Sequence, residues 1–193
     1  MRAAPPPARE LLWLACREKV CCHAARVIVS GRDLWRIVAA LEVAPWDVTR
    51  YAPAEAGAPD AFRLEPDGPG YQVVLAKRGR VTRRGAPCVF LWKLGDGHAQ
   101  CGLGANRPLV CQAYPTTLVD GLLNVDGRGC SCRRWSVVDL DAERDTALLR
   151  TARREVDEYC RIVAAWNAGL AWRGPRTYRD FCDHVMAAYA EPG

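Results

Sequence analysis

The chain has 193 residues, half of them apolar and a quarter charged, with a formal net charge of +5. That composition excludes a largely disordered chain, and no run approaches the roughly 20 apolar residues of a membrane span. The length suits one domain with a helical appendage, able to bury its own core, and so mild a positive charge argues little for a nucleic-acid partner.

Residues 1–9 are rich in Ala and Pro and read as a frayed end. A short helix over Glu10 to Lys19 would deliver Cys16, Cys21 and Cys22. Ser30 with Asp33 three residues on resembles a capping box, and it starts a predicted helix to about Glu42. Leu34, Ile37, Val38 and Leu41 recur at helical spacing as its buried face. Pro45 suits the first turn of another short helix through Trp46 and Val48 to Tyr51. Residues 52–70 hold many Pro, Gly and Asp and read as loop. Strand-like segments follow at Tyr71 to Lys77, Cys88 to Trp92 and His98 to Cys101, with turns at Arg78-Gly79 and Gly95-Asp96-Gly97. A helical turn after Pro108 would carry Cys111. Thr116 to Val119 and Leu122 to Val125, joined by Asp120-Gly121, read as a hairpin. Asp139 or Asp141 can cap a long helix to about Trp166, with Leu148, Ala152, Val156, Tyr159, Val163 and Trp166 on one face. Pro175 then opens a final helix with Tyr178, Cys182, Val185 and Tyr189 on one stripe.

Ten cysteines stand out: Cys16, Cys21, Cys22, Cys88, Cys101, Cys111, Cys130, Cys132, Cys160 and Cys182. Disulfides and metal compete to explain such a count. The apolar run Leu11 to Cys16 is too short for a secretory leader and follows Arg9 and Glu10. A cytoplasmic protein is expected, in which thiols stay reduced and clustered cysteines bind metal. Thiolate is a soft ligand that favours zinc or iron–sulfur over magnesium or calcium. Cys88 and Cys101 are placed on facing arms of a hairpin. Cys130 and Cys132 in an extended segment point to one side. The side chains of adjacent Cys21 and Cys22 are expected to diverge, so that either the pair bridges two centres or one thiol is a ligand and the other serves a second role. Tight C-x₂-C pairs are absent, so the ligands would converge from distant segments. Cys160 and Cys182 sit on apolar helix stripes and read as core thiols.

The stretch Cys16-Arg-Glu-Lys-Val-Cys21-Cys22, then Cys88-Val-Phe-Leu, Cys101 and Arg107-Pro-Leu-Val-Cys111-Gln-Ala-Tyr114-Pro115 resembles the bacterial YkgJ-type cysteine-cluster family. Its domain is described as a putative CxxCxxCC zinc- or iron-chelating one. The resemblance covers roughly residues 13–132. It implies chelation of zinc or of an iron–sulfur cluster, [4Fe-4S] in type, and kinship with flagellin lysine methylases. Two features depart from the pattern: the opening is C-x₄-C-C, and Gln112 stands where a basic residue is usual.

These readings combine into an α+β fold, a metal-stapled, cysteine-rich irregular body with short β-hairpins packed against N-terminal helices and two C-terminal helices. Residues 1–135 would form the metal-binding domain and 136–193 its helical extension. The metal ligands are Cys16, Cys21, Cys22, Cys88, Cys101, Cys111, Cys130 and Cys132. Arg107 and Tyr114 are the cofactor contacts; the guanidinium would offset thiolate charge, and a simply packed ring is the plain alternative for Tyr114. His23 and His98 are secondary ligand candidates, and His184 reads as a packing residue. The basic run Lys77-Arg78-Gly79-Arg80 with Arg83-Arg84 reads as a solvated hairpin tip. No P-loop, G-x-S-x-G or G-x-G-x-x-G is present. The leading expectation is a metal-binding protein, with a protein partner as a further candidate and no contact to membrane. Its rivals are a redox or protein-modifying enzyme, with a reactive thiol in the Cys21-Cys22 pair, and a zinc-stabilised interaction module.

Overall fold

The structure is a computed structural model, and its described residues are 19–81, 83, 85–95, 98–125 and 140–190. Cys16, Cys130 and Cys132 lie outside them, as do the expected helix over residues 10–18, Asp139 and the Asp96-Gly97 part of one turn. The fold is α+β: helices with small antiparallel ladders. None of the described helices is long and apolar enough to cross a membrane. Contacts divide the chain into two compact units, each discontinuous in sequence. The first joins residues 1–25, 77–104 and 109–150; the second joins 26–76, 105–108 and 151–193. Neither coincides with residues 1–135 or 136–193, because residues 26–76 group with the C-terminal helices.

In the first unit, helix α1 (Val20–Ala24) carries the cysteine pair. Strands β3 (Leu91–Lys93) and β4 (Ala99–Cys101) form one hairpin, with Leu91 opposite Cys101. Helix α4 (Leu109–Ala113) carries Cys111, as Pro108 at its entry foretold. Strands β5 (Thr116–Val119) and β6 (Leu122–Val125) pair in the expected register, Val119 opposite Leu122. Their two-residue turn needs positive φ at both positions, and Asp120 (51°) and Gly121 (79°) supply it.

The second unit holds helix α2 (Gly31–Leu41), helix α3 (Pro45–Val48), strands β1 (Thr49–Pro53) and β2 (Tyr71–Leu75), most of helix α5 (Ala142–Arg173) and helix α6 (Tyr178–Ala190). Ser30 caps α2 as expected, its Oγ accepting from the Asp33 N–H at 3.1 Å. Leu34 and Ile37 are buried there, but Leu41 is 40% exposed because the helix ends at it and Glu42 turns into left-handed backbone. The predicted helix to Tyr51 stops at Val48. Thr49 instead opens β1, which pairs antiparallel with β2, Tyr51 opposite Val73. Propensity favours neither state strongly here; the partner strand decides.

Helix α5 runs seven residues past the expected end at Trp166, through Gly169, to Arg173. Asp141 caps it, accepting from Arg144 N–H at 3.0 Å. Pro175 does not open α6. A reciprocal cap does: Thr177 N–H donates to Asp180 Oδ2 at 2.8 Å, and Asp180 N–H to Thr177 Oγ1 at 3.2 Å. The core is aromatic. Phe62 and Phe181, both fully buried, stack at 3.8 Å with rings 6° apart, and the Trp166 ring meets Phe181 edge-on at 5.3 Å. Burying each phenyl ring stabilises the unit by about 1.5–3 kcal/mol. Arg36 ties α2 to α5, reaching Glu155 at 2.6 Å and buried Asp33 at 2.5 Å. Cys182 is fully buried, as expected of a core thiol, whereas Cys160 is only half-buried.

Gly31 lies under two rings: an added Cβ would stand 2.5 Å from Tyr189 and 2.8 Å from Tyr159. Gly31→Ala should therefore destabilise the protein by about 1–3 kcal/mol in urea unfolding, against about 1 kcal/mol for Ser30→Ala. Burial also pushes the Cys182 thiol up from the ordinary 9.0 to about 11, and raises Tyr159, Tyr178 and Tyr189 in the same direction. A group raised in the fold supports folding below its unfolded pKa and loses that support as pH climbs through the folded one. The thermal midpoint should hold to about pH 9 and fall between there and pH 11, measured by circular dichroism.

Candidate metal centre

Five of the expected ligand cysteines are described, and all five belong to the first unit: Cys21, Cys22, Cys88, Cys101 and Cys111. None is in a disulfide. They arrive on four local structures: α1, the turn before β3, the end of β4, and α4.

Backbone hydrogen bonds hold two of these together. The Cys88 N–H donates to the Cys22 carbonyl at 2.7 Å, and Lys77, bridged to Cys88, sends its ammonium to the carbonyls of Cys22 (3.2 Å) and His23 (3.3 Å). Arg78 donates to the Leu91 carbonyl beyond Cys88. Half-buried Lys77 is thus a structural cation beside the thiols rather than part of a solvated tip; Arg78, Arg80 and Arg83 are exposed, and Arg84 lies outside the described residues. Gly85 makes the approach of the two segments possible. Its φ is +92°, and an added Cβ would stand 2.7 Å from the His23 carbonyl oxygen.

The adjacent thiols do not diverge as expected. Cys22 hydrogen-bonds to Cys21, and that bond, helped by the Lys19 charge, lowers Cys21 from 9.0 to about 7 against the opposing effect of burial. Lys19, itself buried, holds the left-handed position (φ 42°) at the start of α1. The same bond raises Cys22, as do burial and the negative charge that Cys21, Cys111 and Cys88 would carry. The pair therefore gives up one proton near neutrality and holds the second much more tightly. Burial raises Cys88, while Lys77 and Arg78 work in the other direction. Cys22 thus lies within electrostatic reach of Cys21, Cys88 and Cys111, and Cys88 within reach of Cys21.

Among the described residues, however, no three His, Cys, Asp or Glu form a group that could hold a metal ion by themselves. Cys101 faces Leu91 on the hairpin and is half-buried. His23 is half-buried on α1, and the His98 carbonyl accepts from Leu94 N–H at 2.8 Å. Tyr114 follows α4 and precedes Pro115 through a cis peptide bond. Arg107 falls in the second unit. The residues that sequence reasoning missed are Lys19, Lys77 and Gly85. A lysine directly after a buried strand was the available signal for Lys77.

Comparison with family models, with curated proteins and with solved structures returns no match.

Gly85→Ala should cost about 1–3 kcal/mol through positive-φ strain and the carbonyl contact, read by urea unfolding. In metal-free protein, iodoacetamide should modify Cys21 with a half-maximal rate near pH 7 and Cys88 only at higher pH, mapped by mass spectrometry. An ordinary profile for Cys21, centred near 9.0, would contradict the paired geometry.

Proposed function

We propose that this chain binds a soft metal centre, zinc or an iron–sulfur cluster, through clustered cysteine thiolates. The observation that carries the reading is that thiols on three separate segments of one unit meet electrostatically at Cys22: it feels the charges of Cys21, Cys111 and Cys88, and Cys88 feels that of Cys21. The donor chemistry fits: sulfur ligands suit zinc and iron–sulfur, and a thiol ionising near neutrality is ready to ligate. Lys77 and Arg78 supply positive charge where a four-thiolate zinc site would carry −2. The described cysteines do not close a ligand set alone. Cys16, Cys130 and Cys132 are the donors proposed to complete it, in line with the resemblance to the YkgJ-type proteins carried by Cys21-Cys22, Cys88, Cys101 and the Arg107–Pro115 motif. When bound, zinc would hold the segments together, and a cluster would add electron transfer. The chain's own residues gather the thiols, fix Cys88 against α1 and offset thiolate charge.

The test is elemental analysis of anaerobically purified protein. Stoichiometric zinc in colourless protein, or iron and sulfide with a broad band near ~400 nm, is the expected result. Cys88→Ser/Cys111→Ser should lose that metal, while Cys160→Ser/Cys182→Ala retains it. Absence of both zinc and iron, or full loading of the first double variant, overturns the reading.

A further inference from the structure

The second unit has a cleft of its own, of about 170 Å³, between the C-terminal part of α5 and α6. Its floor is apolar: buried Trp166 and Leu170, with Ala165 and Gly169 beside them. Its rim is cationic or protonatable: Arg173, Arg176 and His184. No acidic residue lines it. Among the described residues, neither arginine side chain has an ion pair or a hydrogen bond. The Arg176 charge reaches Asp180, an exposed carboxylate held low first by hydrogen bonds from Thr177 and only last by Arg176.

Gly169 is the second observation. It is the single glycine in the 32 residues of α5, and glycine in a helix interior is less favourable than alanine. An added Cβ there would meet nothing within 4 Å. Packing does not require the glycine, and any larger side chain at this position would project into the cleft. The helix keeps space where a ligand could sit.

We propose that this cleft binds a small organic anion, one carboxylate on a compact apolar body. The guanidinium groups take the carboxylate, and the body lies on Trp166 and Leu170. The cleft is below the usual size for drug-like ligands, so the occupant is about one ring in bulk. The C-terminal end of the α5 dipole places partial negative charge beside Arg173, which favours a monoanion over a phosphate dianion.

The test is titration of the full chain with benzoate, followed by the Trp166 indole N–H and Gly169 amide NMR signals. Saturable shifts at both are expected. Benzyl alcohol, with the same body and no charge, and inorganic phosphate, with charge and no body, should each bind at least tenfold more weakly. Arg173→Gln/Arg176→Gln should weaken benzoate at least tenfold. Gly169→Leu should abolish binding without lowering the thermal midpoint, since it fills open space and improves the helix. The proposal falls if benzoate gives no saturable shift, if phosphate or benzyl alcohol binds as well, or if either variant binds like the parent.

Discussion

The carbonyl oxygen of Cys22 accepts from two donors that arrive from a segment more than fifty residues away, the Cys88 N–H and the Lys77 ammonium. A backbone carbonyl at the end of a short helix has no partner within that helix. Left buried and unmet, it would cost about 1–3 kcal/mol. Meeting it from the bridged Lys77 and Cys88 brings Cys88 to α1, and Gly85, with no Cβ to meet the His23 carbonyl, leaves room for that approach. The approach of Cys88 to Cys22 is therefore set first by main-chain geometry, and side-chain chemistry follows from it.

That chemistry is a balance between burial and charge. Burial by itself favours the protonated form of Cys21, Cys22 and Cys88. The Cys22 hydrogen bond and the Lys19 charge overcome burial at Cys21, so one thiolate forms near neutrality. At Cys88 burial outweighs Lys77 and Arg78, and the proton stays. A bound cation would reverse that second outcome, because a metal's charge outweighs the desolvation of a coordinating thiol. Binding would then release protons, which ties affinity to pH.

The second unit follows a different logic. Its stability rests on the Phe62–Phe181 stack, the edge contact with Trp166 and the Arg36 link between α2 and α5. None of these contacts involves sulfur; Cys182 is buried in the same core, its thiol hydrogen-bonded with Tyr178. One feature stands apart from that packing: open space in front of Gly169, the one glycine of α5.

Local signals were legible where chemistry within a few residues decides structure. Ser30, Pro45, Asp120-Gly121, Pro108 and Asp141 each mark a boundary that a neighbouring backbone group enforces. The stripes through Ile37, Val163 and Val185 identified buried faces by period alone. The sequence also determined that this is a cysteine-rich α+β chain, and marked Cys182 as a core thiol. It could not place Thr49–Pro53 in a strand, since that segment takes its conformation from β2 some twenty residues on. It could not pair Cys21 with Cys22, turn Lys77 inward or group residues 26–76 with the last helices. Those outcomes depend on contacts between residues far apart in the chain, and only the tertiary structure brings such partners within hydrogen-bond range.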